Sequence, residues 1–164
     1  MTKKWLIPAI CALVAVVVVA IVVFTPTEED RVKQAVTRFA KVVEPRPNEN
    51  PAFALGRIND TFKEVLDDRV EIAVPELPEI PADRKSLAQL AMQGGARYGE
   101  VSIEVSDVRV KIDEGKTRAQ VDCVAELREK GGQGRRDRRR VSFGLRNGDR
   151  WRITSIHVAT SGGE

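Results

Sequence analysis

Hydrophobic positions follow three regimes along the 164 residues. The first is unbroken. Trp5 to Phe24 is a charge-free run of 20 residues, thirteen of them Leu, Ile, Val or Phe. At about 1.5 Å per helical residue such a run reaches about 30 Å, the thickness of a bilayer's hydrocarbon core. Each aliphatic side chain favours insertion by roughly 0.3 to 0.6 kcal/mol. Trp5 suits the headgroup layer, and Pro8 lies in the first turn, where it breaks few helical bonds. The pattern predicts a transmembrane helix over 5–24 behind a short basic tail at 1–4. A cleaved signal peptide is the rival, but it needs a shorter apolar core and a small-x-small site, which Thr25-Pro26-Thr27 does not offer.

The second regime has a helical period. Thr27 followed by Glu28-Glu29-Asp30 is a hydroxyl cap with acids in the first turn, where the helix dipole favours negative charge. Val32, Ala35, Val36, Phe39, Ala40 and Val43 then recur at steps of three and four, until Pro45 and Pro47. Asn50-Pro51 starts a second helix, with an amide cap and proline at the first position. Phe53, Ile58, Phe62, Val65 and Leu66 form its expected stripe. Val70, Ile72 and Val74 alternate as a short strand, which Pro75 and Pro78 confine to a sheet edge. Asp83 caps a third helix carrying Leu87, Leu90 and Ala91, expected to close at Gly94-Gly95.

From Val101 the period is two. Val101, Ile103 and Val105 share a face, and Val108, Val110 and Ile112 continue on even numbers. A slip at Ser106-Asp107 that keeps the apolar face inward requires a β-bulge. Ala119 to Leu127 and Val141 to Leu145 are the next two strands. Asn147-Gly148 is a strong hairpin signal, and Trp151 and Ile153 open a last strand that slips phase before Ile156 and Val158. The expected architecture is α+β: an N-terminal transmembrane helix, then a curved, mostly antiparallel sheet wrapped by about three helices over 25–160, with a short tail at 161–164.

Charge adds orientation and one candidate surface. Lys3 and Lys4 favour the amino terminus inside, although Arg31, Lys33 and Arg38 on the other flank oppose this. The expected location is a bacterial inner membrane, with the C-terminal domain periplasmic or extracytoplasmic. The whole chain carries +3, yet residues 44–80 hold nine acids and four bases while residues 128–152 hold ten bases and three acids. Arg135, Arg136, Arg138, Arg139 and Arg140 follow a Gly-rich stretch and are expected on a loop. Guanidinium groups grip phosphate or carboxylate through paired donors, so anionic lipid, an acidic partner or a second copy of the chain are the expected partners, the alternative being a solvated hairpin whose charges keep a sheet edge from pairing. Without interleaved aromatics to stack bases, nucleic acid is not expected. One histidine and two separated cysteines do not compose a metal set, and no cofactor fingerprint is present.

The order of elements, and above all Phe143 to Val158 (FGLRNGDRWRITSIHV), resembles the nuclear transport factor 2-like, cystatin-like α+β cone superfamily. The resemblance covers about residues 27–160 and implies a fold more than a task. It is compatible with a non-catalytic binding or assembly module of the cell envelope, whose pocket Phe39, Phe62, Phe143 and Trp151 would line. It is also compatible with a ketosteroid-isomerase-like or polyketide-cyclase-like enzyme moving protons on an apolar small molecule. Asp107, re-aimed by its bulge, and Tyr98 are then the catalytic candidates; His157 falls on the opposite face. Nothing in the residues commits the chain to catalysis.

Overall fold

The computed structural model describes residues 26–159 apart from 47, 76–79, 81–82, 99–100 and 130–135. The apolar run over 5–24 lies outside the described residues. Among those described, no helix is long and apolar enough to cross a membrane.

Helix α1 (Glu28–Val43) begins with the expected cap in reciprocal form. Thr27 Oγ1 accepts from the Asp30 N–H at 3.1 Å, and Asp30 Oδ2 accepts from the Thr27 N–H at 3.0 Å, satisfying two orphan donors. Those Thr27 bonds hold the Asp30 carboxyl below its usual range. Helix α2 (Pro51–Val65) is capped by Asn50, whose Oδ1 accepts from the Ala52 N–H at 2.8 Å. Arg57 locks the two together: it donates to Val42 O at 2.8 Å, at the carbonyl end of α1, and forks onto both Glu49 oxygens at 3.0 and 2.7 Å.

Three expectations need correction here. Phe53 is not on the buried stripe but 76% exposed, because Ile58, Phe62 and Val65 already define the inward face and Phe53 falls off it. Strand β1 (Leu66–Ala73) starts where α2 ends rather than at Val70, so Leu66 is the first strand residue. Helix α3 (Arg84–Tyr98) runs through Gly94-Gly95. Glycine permits a stop without imposing one, and each costs a helix interior only about 1 kcal/mol. The Asp83 cap is as expected, its Oδ1 accepting from the Ser86 N–H at 2.9 Å.

Strands β2 (Val101–Ile112), β3 (Arg118–Glu129), β4 (Arg136–Asn147) and β5 (Trp151–Val158) form an antiparallel meander. The sheet order is β1-β5-β4-β3-β2. β1 lies at an edge but pairs with β5 in parallel, so the sheet is mixed. Both phase slips are present. In β2 the register shifts between Ser106 and Arg109, with Asp107 at φ 52°, and both Val105 and Val108 pack on the core. In β5 the shift leaves Thr154 between Ile153, which faces Leu145, and Ser155, which faces Gly144.

The helices cover one face of this sheet. Val32, Val36, Phe62, Leu66, Val70, Val121, Leu145 and Ile153 fill the space between, and no polar residue is buried among the described residues. Trp151 Nε1 donates to Glu28 Oε2 at 2.8 Å, and the Asn147 N–H donates to Thr117 O at 2.8 Å. These bonds gather the start of α1, the β2–β3 turn and the β4–β5 turn at one end of the domain. Arg136 lies at the other end of the 12-residue β4, about 36 Å away at about 3.3 Å per residue.

Candidate functional site

The helical side holds an apolar cavity of about 220 Å³ lined by Phe39, Val43, Phe62, Ile72, Leu87, Leu90 and Ala91. Its lining contains no ionisable side chain. Phe39 stacks on Phe62 with ring centroids 5.7 Å apart and meets Phe143 edge-on at 6.1 Å. Of the four aromatics anticipated as pocket lining, Phe39 and Phe62 line the cavity. Phe143 does not; it is buried behind Phe39. Trp151 does not either; it closes the far end of the core against Glu28. Val43, Ile72, Leu87, Leu90 and Ala91 complete the lining, and the helical spacing of the last three is the signal that could have found them. Leu90 is 44% exposed at this site.

The catalytic candidates are not brought together there. At its left-handed bulge position, Asp107 stands on the helix-free side of the sheet, 3.6 Å from Arg138 Nη2, with its side chain 64% exposed. The side chain of Tyr98 lies outside the described residues. His157 is exposed and faces Ser142 across β4–β5, also on the helix-free side. Cys123 is buried and donates to Val141 O; burial, and then the Asp122 charge, push its thiol up to about 11, so it is an unreactive core residue. Among the described residues there is no cluster able to hold a metal ion.

The helix-free face is polar, and its two ends differ. At the Arg136 end, arginines and acids interleave. Arg128 reaches Glu126 at 2.7 Å and Glu104 at 3.2 Å, and Arg136 stands 4.0 Å from Glu126. The Arg128 hydrogen bond holds the Glu126 carboxyl below its usual range. Arg139, on the opposite face, reaches Asp137 at 3.0 Å. The basic segment is therefore strand from Arg136 onward, not loop, because β3 supplies carboxylates to its outward side chains. Arg135 lies outside the described residues. Arg140 is exposed, with no carboxylate in ion-pair range among the described residues.

Toward the other end lies a shallow trough of about 600 Å³, lined by Lys111, Asp113, Arg118, Gln120, Ser142, Gly144, Ser155 and His157 among others. Two of its lining residues are tied to a neighbouring carboxylate: Ser142 Oγ donates to Asp122 Oδ1 at 2.6 Å, and Gln120 Nε2 donates to the same carboxylate at 3.2 Å. The Ser142 bond, then that from Gln120, lowers the Asp122 pKa. Gly144 leaves the floor open, since a Cβ there would fall 2.4 Å from Ser155 Oγ.

No protein-family model and no curated protein matches the chain. Solved structures do. A cystatin-like, NTF2-like protein from Novosphingobium aromaticivorans aligns with a TM-score of 0.63 at 12% identity, over 84% of each chain. An NTF2-like protein of Streptomyces avermitilis, provisionally named a dehydratase, aligns at 0.58 and 17% identity, over 82% of this chain and 97% of its own. A cystatin-like protein of unknown function from Nostoc punctiforme aligns at 0.60 and 10% identity, over 80% and 90%. The described domain thus has the nuclear transport factor 2-like, cystatin-like α+β fold: three helices on a five-stranded mixed sheet.

Proposed function

We propose that this chain is a single-pass membrane protein, anchored by residues 5–24, that presents a non-catalytic binding module on the extracytoplasmic side. The module's helix-side cavity takes an apolar side chain or a small apolar molecule. One observation carries this reading: the cavity is lined by seven apolar residues and no ionisable group, while Asp107 stands on the opposite face of the sheet beside Arg138. Proton transfer needs a titratable group within hydrogen-bond reach of the substrate, and this lining supplies none. Dry cavities of about 150 Å³ lined by Leu, Ile and Phe bind benzene, so a space of this size and character is sufficient for an aromatic ring.

The test uses the full chain in nanodiscs. Indole or benzene should raise the unfolding temperature of the wild type, and Ala91→Phe, which fills the cavity, should abolish that rise. No shift in the wild type, or an equal shift in Ala91→Phe, overturns the cavity assignment. A topology reporter fused after Glu164 tests the anchor separately; a cytoplasmic signal overturns the orientation.

A further inference from the structure

Three arginines stand in register across three strands of the helix-free face. Arg118 of β3 faces Arg146 of β4, and Arg146 faces Arg152 of β5. All three alternate with core residues (Ala119, Leu145, and both Trp151 and Ile153), so all belong to the same side of the sheet. Like charges directly opposite on neighbouring strands are destabilising, and this row contains two such pairs in succession. The next row inward is uncharged at Gln120, Gly144 and Ser155, runs from Lys111 on β2 to Glu71 on β1 and, at Gly144, has no side chain. Lys111 faces Gln120 from β2 and lines the same trough.

Local acids only partly answer this charge. Asp67 pairs with Arg146, while Asp149 accepts from Arg150 at 3.2 Å and from Arg152 at 3.1 Å. Asp113 is engaged by the Thr117 and Arg118 backbone N–H groups at 2.7 and 3.0 Å, and Asp122 by Ser142 and Gln120. Arg118 itself has no carboxylate in ion-pair range among the described residues. Arg152 Nε is enclosed with no acceptor. The open floor and the aligned arginines point the same way.

We propose that the trough over Gly144 binds a phosphate-class anion, gripped by the lining residues Arg118 and Lys111 with Gln120 and Ser155 as neutral donors, while Arg146 and Arg152 add positive charge from the adjoining row. Guanidinium forks match phosphate oxygens in pairs, which distinguishes this row from a merely basic surface. The trough adjoins the end of the domain that carries Thr27. If residues 5–24 anchor the chain, the phosphate of an anionic lipid headgroup is one source; a soluble phosphate ester is the other. Unlike the cavity assignment, the anion site stands without a ligand in the helix-side space.

Full chain in nonionic detergent is titrated with pyrophosphate at constant ionic strength, and full chain in phosphatidylcholine nanodiscs is compared with discs containing phosphatidylglycerol by hydrogen exchange. A soluble source gives saturable pyrophosphate binding. A lipid source gives slowed exchange at 113–120 and 142–155 only in the anionic discs. Either response should weaken about tenfold in Arg118→Gln/Arg146→Gln, the loss expected for charged hydrogen bonds, and stay unchanged in Arg136→Gln/Arg138→Gln, which removes the same charge elsewhere. Arg118→Gln alone, which removes no ion pair, gives the same reading if the double variant does not fold. Absence of both responses, or equal weakening by the Arg136→Gln/Arg138→Gln pair, overturns the proposal.

Discussion

The two ends of the sheet's helix-free face use the same residue type to opposite effect. Near Arg136, each outward arginine of β3 and β4 has a carboxylate within 4.0 Å except Arg140, and Glu126 serves both Arg128 and Arg136. Near Trp151, arginine faces arginine across two strand pairs, and the adjoining row is uncharged at Gln120, Gly144 and Ser155. A run of arginines in sequence is therefore a poor guide to a free basic surface. In the densest cluster, Arg136, Arg138 and Arg139 each have a carboxylate within 4.0 Å. The sparse set of Arg118, Arg146 and Arg152 is concentrated by register. Surface ion pairs contribute little to stability, so the first end reads as edge and surface management. A row that repels itself costs stability, which is the pattern expected if it binds an anion as proposed.

Removing the post at the Trp151 end should have the largest effect. Trp151 is buried, and its indole N–H bonds Glu28 at 2.8 Å, joining α1 to the last hairpin. Trp151→Ala should destabilise by about 3–5 kcal/mol, as for other buried aromatic truncations. Hydrogen exchange should quicken first at 27–31 and 147–152, ahead of 124–128 and 136–140. Uniform acceleration along the whole sheet would show that the two ends unfold as one unit.

A smaller effect should differ in sign between the ends. Arg118→Thr removes one member of a like-charge row and places a good strand former on an outward strand position, so it should stabilise by about 0.2–1 kcal/mol. Arg138→Thr removes a side chain opposite Glu126 and 3.6 Å from Asp107, so it should destabilise by an amount of the same order, about 0.2–1 kcal/mol. Urea unfolding of both variants at low and high salt decides this. Salt screens the repulsion and the attraction alike, so both differences should shrink at high salt. Destabilisation by Arg118→Thr would mean that the row is not frustrated.

Much of this fold is written locally. Thr27, Asn50 and Asp83 are caps whose bonding partners lie two or three residues away, and the two bulges appear as slips in a period of two. What was not legible depends on distant partners. The slip at Ser106-Asp107 shows that a bulge is needed, but not which way Asp107 points; that follows from its left-handed φ and from Arg138, 31 positions later in the chain. Phe53 looks like a stripe residue until the inward face of α2 is fixed by α1. The arginine row is the clearest case. Its members come from strands separated by two turns, and a one-residue change of register in either pairing would dissolve it.

Acid should produce the smallest difference. Glu126 is held low by Arg128, and Asp113 by the Arg118 N–H and then Thr117. At Asp149 burial works upward, but Arg152 and Arg150 outweigh it and the pKa is lowered. A carboxyl whose folded pKa lies below its unfolded value contributes stability that is complete above the unfolded pKa and is lost as pH falls through the folded one. For these groups the window opens near the ordinary values of 4.5 for a glutamate and 3.8 for an aspartate, and extends downward. All three are solvent-facing, so each contribution is small and screened by salt. At the Arg136 end, Glu126→Gln should flatten the acid limb of the stability curve below about pH 4.5. At the other end, Asp149→Asn flattens it only below about pH 4, and it also strips a partner from Arg152. If the site over Gly144 takes phosphate, that second change should tighten anion binding while lowering stability slightly at neutral pH. Weaker phosphate binding in Asp149→Asn would mean that Asp149 orients Arg152 for the ligand rather than competing with it.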